Sequence, residues 1–331
     1  MSAHAPAPAP AAAPAASSAS PGSMAWLVLM VLLWGLSWPA TRMALDVVPP
    51  LWLATLRFAS AGLCIFVFVG LRGGLRLPAR GDWPIVASVG LLQMAAFSGM
   101  GMIAMTRTDT SHAVLLAYTT PLWAVLAGWL LLGQVPRRLQ FAALGAGLAG
   151  IALICSPGEM DWSGDGALSG ALLLLAAAIC WSLVILHVRG HRWVGSPLAL
   201  APWQMLVATL PLAGMARVLE GVPQEVALTP RLLELLVFIG PVATSACFVI
   251  STEHGRRIST FAMSNFTLGV PLVGVLASVL LLGNRLSGVF VLGLALIVGG
   301  VVLAAAASLG RPARVGKPRA PGGAPACRGT C

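Results

Sequence analysis

The thirteen residues Pro121–Gly133, PLWAVLAGWLLLG, return 150 positions later as Pro271–Gly283, PLVGVLASVLLLG, identical at nine places. The register extends outward on both sides: Thr110 aligns with Thr260, Leu144 with Leu294 and Gly150 with Gly300. Composition bias toward apolar residues does not bring Pro and Gly into register. The chain is therefore two related halves, and any fold it adopts must accommodate the same unit twice.

Each unit is almost wholly apolar. Of 331 residues 58% are hydrophobic and 9% charged, against about a quarter charged in a soluble domain. Ten stretches approach the ~20 residues that cross a bilayer core. They run over about 24–44, 51–71, 83–105, 110–132, 138–156, 167–187, 197–219, 232–254, 259–282 and 286–308. The expectation is an all-α integral membrane protein of ten transmembrane helices. Residues 24–156 form a first five-helix repeat and 167–308 a second. Five spans per half is an odd number, so the second half enters from the opposite side and the repeats are inverted.

The net charge of +10 is carried by loops between apolar runs, which is where membrane topology places it, and does not indicate nucleic acid. With the N-terminus inside, the inner loops and tail hold fourteen basic residues, among them Arg72, Arg76, Arg80, Arg137 and Arg138, and the outer loops five. Both termini are expected to be cytoplasmic. Residues 1–23, rich in Ala and Pro, read as a disordered tail and not a signal peptide. The basic, Pro- and Gly-rich residues 309–331 read as a second tail. Cys64, Cys155, Cys180 and Cys247 stand singly in apolar runs, and Cys327 and Cys331 in the tail. Neither a disulfide framework nor a metal site is expected, and no cofactor.

Trp34-Gly35 stands in the first helix, and Pro50 leads to Leu53-x-x-x-Arg57-Phe58 in the second; the two Pro/Gly frames are each followed by a Gly-rich helix. On these residues the halves resemble EamA domains of the drug/metabolite transporter superfamily, a resemblance that covers about residues 24–308. It implies a central cavity lined mainly by helices 1, 3, 4, 6, 8 and 9, with helices 5 and 10 at the periphery. The uncharged interior and the aromatic and Met-rich helices are similar to the aromatic amino-acid exporter (YddG-like) branch. One departure from the family pattern is that Gln134 and Asn284 stand where members often carry Glu.

The residues themselves suggest where a solute would bind. Arg57 lies about 9 Å into helix 2, too deep to face lipid cheaply. It either captures a substrate carboxylate or serves structure, snorkelling outward or pairing with Asp46; the resemblance itself contains an Arg here. Trp34 and Trp181 occupy corresponding mid-span places on helices 1 and 6, where an indole N–H needs a partner or a cavity. Trp26 and Trp83, near helix ends, suit an interfacial belt. Tyr118 precedes Pro121 in a helix whose carbonyls the proline frees. Met94, Ser98, Met102 and Met105 share one face of helix 3 with Gln93 nearby; such a stripe is adaptable to ligands but equally suits packing. Thr244 and Ser245 on helix 8, and Ser264, Asn265 and Thr267 on helix 9, either bond a ligand or join helices. Pro121 and Pro271 are expected to bend helices 4 and 9 and serve as hinges.

No Asp or Glu sits well inside a span, and Gln134 and Asn284 cannot titrate, so a proton relay has no evident seat. His112, His187 and His254 are titratable but lie near helix ends. The expectation is a monomeric or weakly oligomeric carrier in the inner membrane that exports small organic metabolites, aromatic or hydrophobic amino acids foremost, by alternating access as a uniporter. Proton-coupled export is the alternative. An intramembrane enzyme is disfavoured by the absence of His-Glu-x-x-His, of paired Asp in the spans and of a Ser–His pair at common depth; a channel would show flux without alternating access.

Overall fold

Apolar segments bounded by Pro, Gly and short polar turns become helices because a backbone in hydrocarbon must satisfy its own hydrogen bonds. The computed structural model describes residues 21–159, 166–222, 228–255 and 260–308. The side chains at 21, 255, 260–268, 305, 307 and 308 lie outside that description. Among the described residues the chain is helical throughout, without strands. We number the helices α1 (Pro21–Leu45), α2 (Pro50–Leu71), α3 (Trp83–Met105), α4 (Thr110–Leu132) and α5 (Arg138–Ile154) in the first repeat. The second repeat holds α6 (Ala167–Gly190), α7 (Pro197–Leu219), α8 (Pro230–His254), α9 (Thr260–Leu282) and α10 (Gly288–Ser308). Seven of these (α1–α4 and α6–α8) are long and apolar enough to cross a membrane; α5 and the described parts of α9 and α10 are shorter apolar helices.

Contacts between connections sort them onto two ends of the bundle. At one end the α2–α3 loop meets the α6–α7 loop, and His254 at the end of α8 meets Ser23 at the start of α1 (3.3 Å). At the other, Arg107 of the α3–α4 loop reaches Ser169 at the start of α6 (2.8 Å), and Asn284 after α9 reaches Ser111 at the start of α4 (3.1 Å). Successive helices thus run antiparallel, and α6 starts at the end opposite to α1. The packing obeys the matching exchange of halves. The α5–α10 and α2–α7 pairs map onto themselves, α1–α9 onto α4–α6, and α1–α8 onto α3–α6. This is the geometry of a two-fold axis between inverted units.

Small residues let the halves touch. A Cβ on Gly150 of α5 would stand 2.7 Å from the Gly293 carbonyl oxygen of α10, and one on Gly300 would stand 2.7 Å from the Ala143 carbonyl oxygen. The close α5–α10 approach is why both helices are Gly-rich. Gly133 and Gly283 close the two frames for a different reason: both take the left-handed conformation, with φ of 64° and 72°. Their amides cap the preceding turn, at 3.1 Å to Trp129 and 3.2 Å to Val279, as a helix C-cap requires.

Two carboxylates fasten opposite ends. Glu220, after α7, accepts the Leu51 and Trp52 amides at the start of α2 (2.8 and 3.1 Å). Asp82, before α3, accepts the Val194 and Gly195 amides just before α7 (3.1 and 2.7 Å) and a hydrogen bond from His191 Nε2 (3.0 Å). Each carboxylate precedes the third helix of one repeat and holds the start of the second helix of the other, so the pair follows the two-fold relation. Burial pushes the Asp82 carboxyl up, but the His191 and amide hydrogen bonds outweigh it and hold the group below the usual range. A carboxylate depressed in the folded state adds stability above its unfolded value, about pH 3.9, and loses it as pH falls through the folded value. Asp82→Ala is therefore expected to cost about 2–3 kcal/mol at neutral pH by leaving two amides and an imidazole unpaired. The gap to the parent protein should close below about pH 4; thermal unfolding in detergent across pH measures both. A pH-independent loss would show that Asp82 acts through packing alone.

Candidate functional site

The first and third helices of both repeats meet α2, α4 and α7 around one cavity of about 160 Å³. A dry cavity of about 150 Å³ accepts benzene, so the space suits a small ring-bearing solute. Helix α1 presents Trp34, Ser37, Trp38 and Thr41, spaced i, i+3, i+4 and i+7 on one face. Helix α3 presents Gln93, Met94, Phe97, Ser98, Gly101, Met102 and Met105, the stripe expected from sequence with Phe97 and Gly101 added. Tyr118 of α4, Trp181 of α6, and Thr244 and Phe248 of α8 complete those walls. Arg57 and Phe58 of α2 and Met205 of α7 also line it, so two helices beyond the expected set contribute.

Seven of the eight expected cavity residues are brought together: Trp34, Met94, Ser98, Met102, Tyr118, Trp181 and Thr244, with Arg57 beside them. Asn265, with Ser264 and Thr267, lies outside the described side chains. Ser245 turns away and donates to the Ala61 carbonyl (2.7 Å), joining α8 to α2. The sequence reading missed Trp38 and Thr41, although their spacing from Trp34 carried the signal. Phe97, Met205 and Phe248 gave no such sign, because an apolar residue in an apolar helix is ordinary packing until its neighbours are known.

The aromatic side chains form a chain of contacts. Trp181 meets Phe97 at 4.7 Å between ring centroids, tilted by 73°, and Tyr118 at 6.2 Å; Tyr118 meets Trp38 at 6.1 Å. The first two pairs are edge-to-face and the third is tilted, the geometries that aromatic quadrupoles favour over face-to-face stacking.

Arg57 is held from one side. Its Nε donates to Thr244 Oγ1 (2.8 Å), whose own proton goes to the Ile239 carbonyl (2.8 Å). That Thr244 bond reaches five residues back because α8 is π-helical over Phe238–Ala246, as α3 is over Val89–Ala96 in the other repeat. Met94 and Thr244 are equivalent positions in the two π segments. The glycines there sit against the opposite repeat: a Cβ on Gly90 would come within 2.7 Å of the Gln204 carbonyl, and one on Gly240 within 3.1 Å of the Arg57 carbonyl. Pairing of Arg57 with Asp46 does not occur, because Asp46 is taken by Arg42 four residues away on its own helix end (2.5 Å).

The two prolines behave differently. At Pro121 the α geometry is interrupted over Tyr118–Thr119. There Thr119 and Thr120 hydroxyls donate to the Leu116 and Ala117 carbonyls (2.6 and 2.8 Å), replacing lost backbone donors. At Pro271 the helix continues unbroken; the residues before it are Leu268, Gly269 and Val270, which bring no hydroxyl to a freed carbonyl. The α geometry is thus interrupted before Pro121 and continuous through Pro271. A correction concerns Ser88 and His187, which share a hydrogen bond of 2.8 Å between α3 and α6. The Ser–His pair that the sequence did not suggest exists, but at the Asp82 end of the bundle and away from the cavity lining. Among the described residues, none of His112, His187 and His254 lines the cavity, and neither does any Asp or Glu.

Comparison with known proteins agrees with this architecture. The EamA-like transporter family matches residues 22–156 and again 168–306. The uncharacterized inner membrane transporter YedA of Escherichia coli K12 is 29% identical over 285 residues, 84% of this chain and 88% of its own. The uncharacterized transporter YvbV of Bacillus subtilis is 25% identical, over 84% and 89%. A protein of Escherichia coli K12 named a probable amino-acid metabolite efflux pump is 24% identical, over 83% and 92%. One solved crystal structure aligns with 90% of this chain and 99% of its own at a TM-score of 0.59 and 24% identity, a likeness of fold. With both repeats matched, over nearly every described helix, the chain belongs to the EamA-like transporter family.

Proposed function

We propose that this protein is a ten-span carrier that exports small organic metabolites, aromatic and hydrophobic amino acids foremost, by alternating access. The observation that carries the reading is one aromatic-walled cavity at the junction of two inverted repeats, where rocking of one half against the other would change its access. The name of the amino-acid efflux relative supports the substrate class. The carrier works as a monomer or weak oligomer in the inner membrane with both termini cytoplasmic. A cysteine introduced between 159 and 165 should then react with an impermeant reagent from outside; labelling only after permeabilisation would reverse the orientation.

The transport mode is uniport. Among the described residues the cavity lining holds no carboxylate or histidine to carry a counter-transported proton, so substrate moves down its own gradient in either direction. Purified protein in liposomes, loaded with labelled phenylalanine, should show equilibrating flux unaffected by an imposed pH gradient at zero membrane potential. Uphill accumulation driven by that gradient would replace uniport by proton coupling. Variants at His112, His187 and His254 would then locate the coupling group.

A further inference from the structure

Among the described residues the cavity carries one formal charge, and its sign is informative. Arg57 alone of these lining residues is ionised, and no Asp or Glu stands among them. Its guanidinium offers five N–H donors. One is spent on Thr244 (2.8 Å), and among the described residues neither Nη donates to a protein acceptor. Three of the lining hydroxyls are already committed as donors: Ser37 and Thr41 to the Trp34 and Ser37 carbonyls (2.7 and 2.6 Å), and Thr244 to the Ile239 carbonyl (2.8 Å). A fork of guanidinium donors therefore faces the cavity, anchored through Nε and open at Nη, with the rings of Trp38, Tyr118 and Trp181 across the same space. An intramembrane cation without a protein counter-ion needs one from elsewhere, and a planar carboxylate fits the fork in bidentate fashion.

Resting on the proposed carrier of amphipathic solutes, we infer that the Arg57–Thr244 pair is a carboxylate subsite, and that ligands are read by carboxylate plus ring while the α-ammonium group is dispensable. The transported class then includes aryl-substituted monocarboxylates lacking an amine, on equal terms with the aromatic amino acids. An amine without a carboxylate is excluded, since it would place a second cation beside Arg57 with no acid to pair it.

The test uses the full-length protein in liposomes. Exchange of labelled phenylalanine is measured against unlabelled phenylalanine, 3-phenylpropanoate and 2-phenylethylamine, and binding of each is read in parallel from quenching of tryptophan fluorescence. The expected result is competition by 3-phenylpropanoate within about threefold of phenylalanine and none by 2-phenylethylamine. Arg57→Lys keeps the charge but loses the fork, and should weaken both carboxylates by about 30-fold or more. Thr244→Val, which frees Nε but keeps the guanidinium, should weaken them by about tenfold. Competition by 2-phenylethylamine as strong as that by phenylalanine, or unchanged carboxylate affinities in a folded Arg57→Lys protein, would overturn the subsite. Binding of phenylalanine without 3-phenylpropanoate would show that the ammonium is read and overturn its dispensability. Binding of 3-phenylpropanoate without phenylalanine would uphold the subsite and remove amino acids from the proposed function. If none of the three binds, both readings fall. The comparison of three ligands on the unaltered protein decides the matter even if a variant fails to fold.

Discussion

Replacing Ser98 with tryptophan is expected to abolish transport while leaving the protein folded. Ser98 points into the cavity from the middle of the α3 face, between Met94 and Met102 and one helical turn from each. An indole is larger than the benzene that a cavity of about 150 Å³ accepts, so a tryptophan here would occupy most of the 160 Å³ available. The new ring would lie among Phe97, Tyr118 and Trp181, in an environment that already accommodates aromatic side chains. The filled space is empty of protein atoms, so the backbone does not have to move, and the loss should exceed about 100-fold in exchange rate by simple exclusion of the ligand. Ser98→Ala, which enlarges the site slightly, is the control and should retain exchange. Exchange of labelled phenylalanine and detergent unfolding temperature are to be measured together. Near-normal exchange in Ser98→Trp would show that solute passes elsewhere.

The largest expected effect on stability comes from a position with no side chain. Gly150→Leu should prevent α5 and α10 from packing, because the obstacle is backbone: an added Cβ would meet the Gly293 carbonyl oxygen at 2.7 Å and the Ile297 amide nitrogen at 3.0 Å. A side chain can change rotamer to relieve such a clash, whereas a helix must shift as a body. Overpacking costs typically 1–3 kcal/mol even where side chains can give, so about 3 kcal/mol or more is expected here. Gly145→Leu tests whether this is merely a glycine effect. It lies on the same helix with nothing within 4 Å of its added Cβ, and leucine is the better helix former. Gly145→Leu should match the parent in monodisperse yield and unfolding temperature, and Gly150→Leu should lose most of both. Equal tolerance of the two would mean that the α5–α10 contact contributes little.

Much of the fold was legible because lipid leaves the backbone few choices. Apolar length marks helices, and a duplication with an odd count of segments implies inversion; the alternation of loops between the two ends of the bundle agrees with both. The Gly133 and Gly283 caps were visible as frame ends, since only a left-handed residue closes such a turn without strain. The α3 stripe was visible for a related reason, because helical periodicity by itself places Met94, Ser98, Met102 and Met105 on one face.

Tertiary structure decided what that face confronts. Periodicity gives no information on which helix lies opposite, so the contributions of Arg57, Phe58 and Met205, and the gathering of Trp38, Phe97, Tyr118 and Trp181, appear only on packing. The two prolines, alike in their frames, diverge because Thr119 and Thr120 can bond freed carbonyls while Gly269 and Val270 cannot. The π turns of α3 and α8 arise where Gly90 and Gly240 admit a neighbouring helix, a contact between residues more than a hundred positions apart. Asp82 and Glu220 looked like ordinary loop carboxylates, and became fasteners only when the other repeat brought unpaired amides to them. Local chemistry thus determined where the helices are and which faces they offer. The pairing of faces depends on long-range contacts that each helix cannot specify alone, and those contacts decided the cavity, the anchoring of Arg57 and the two fastened ends.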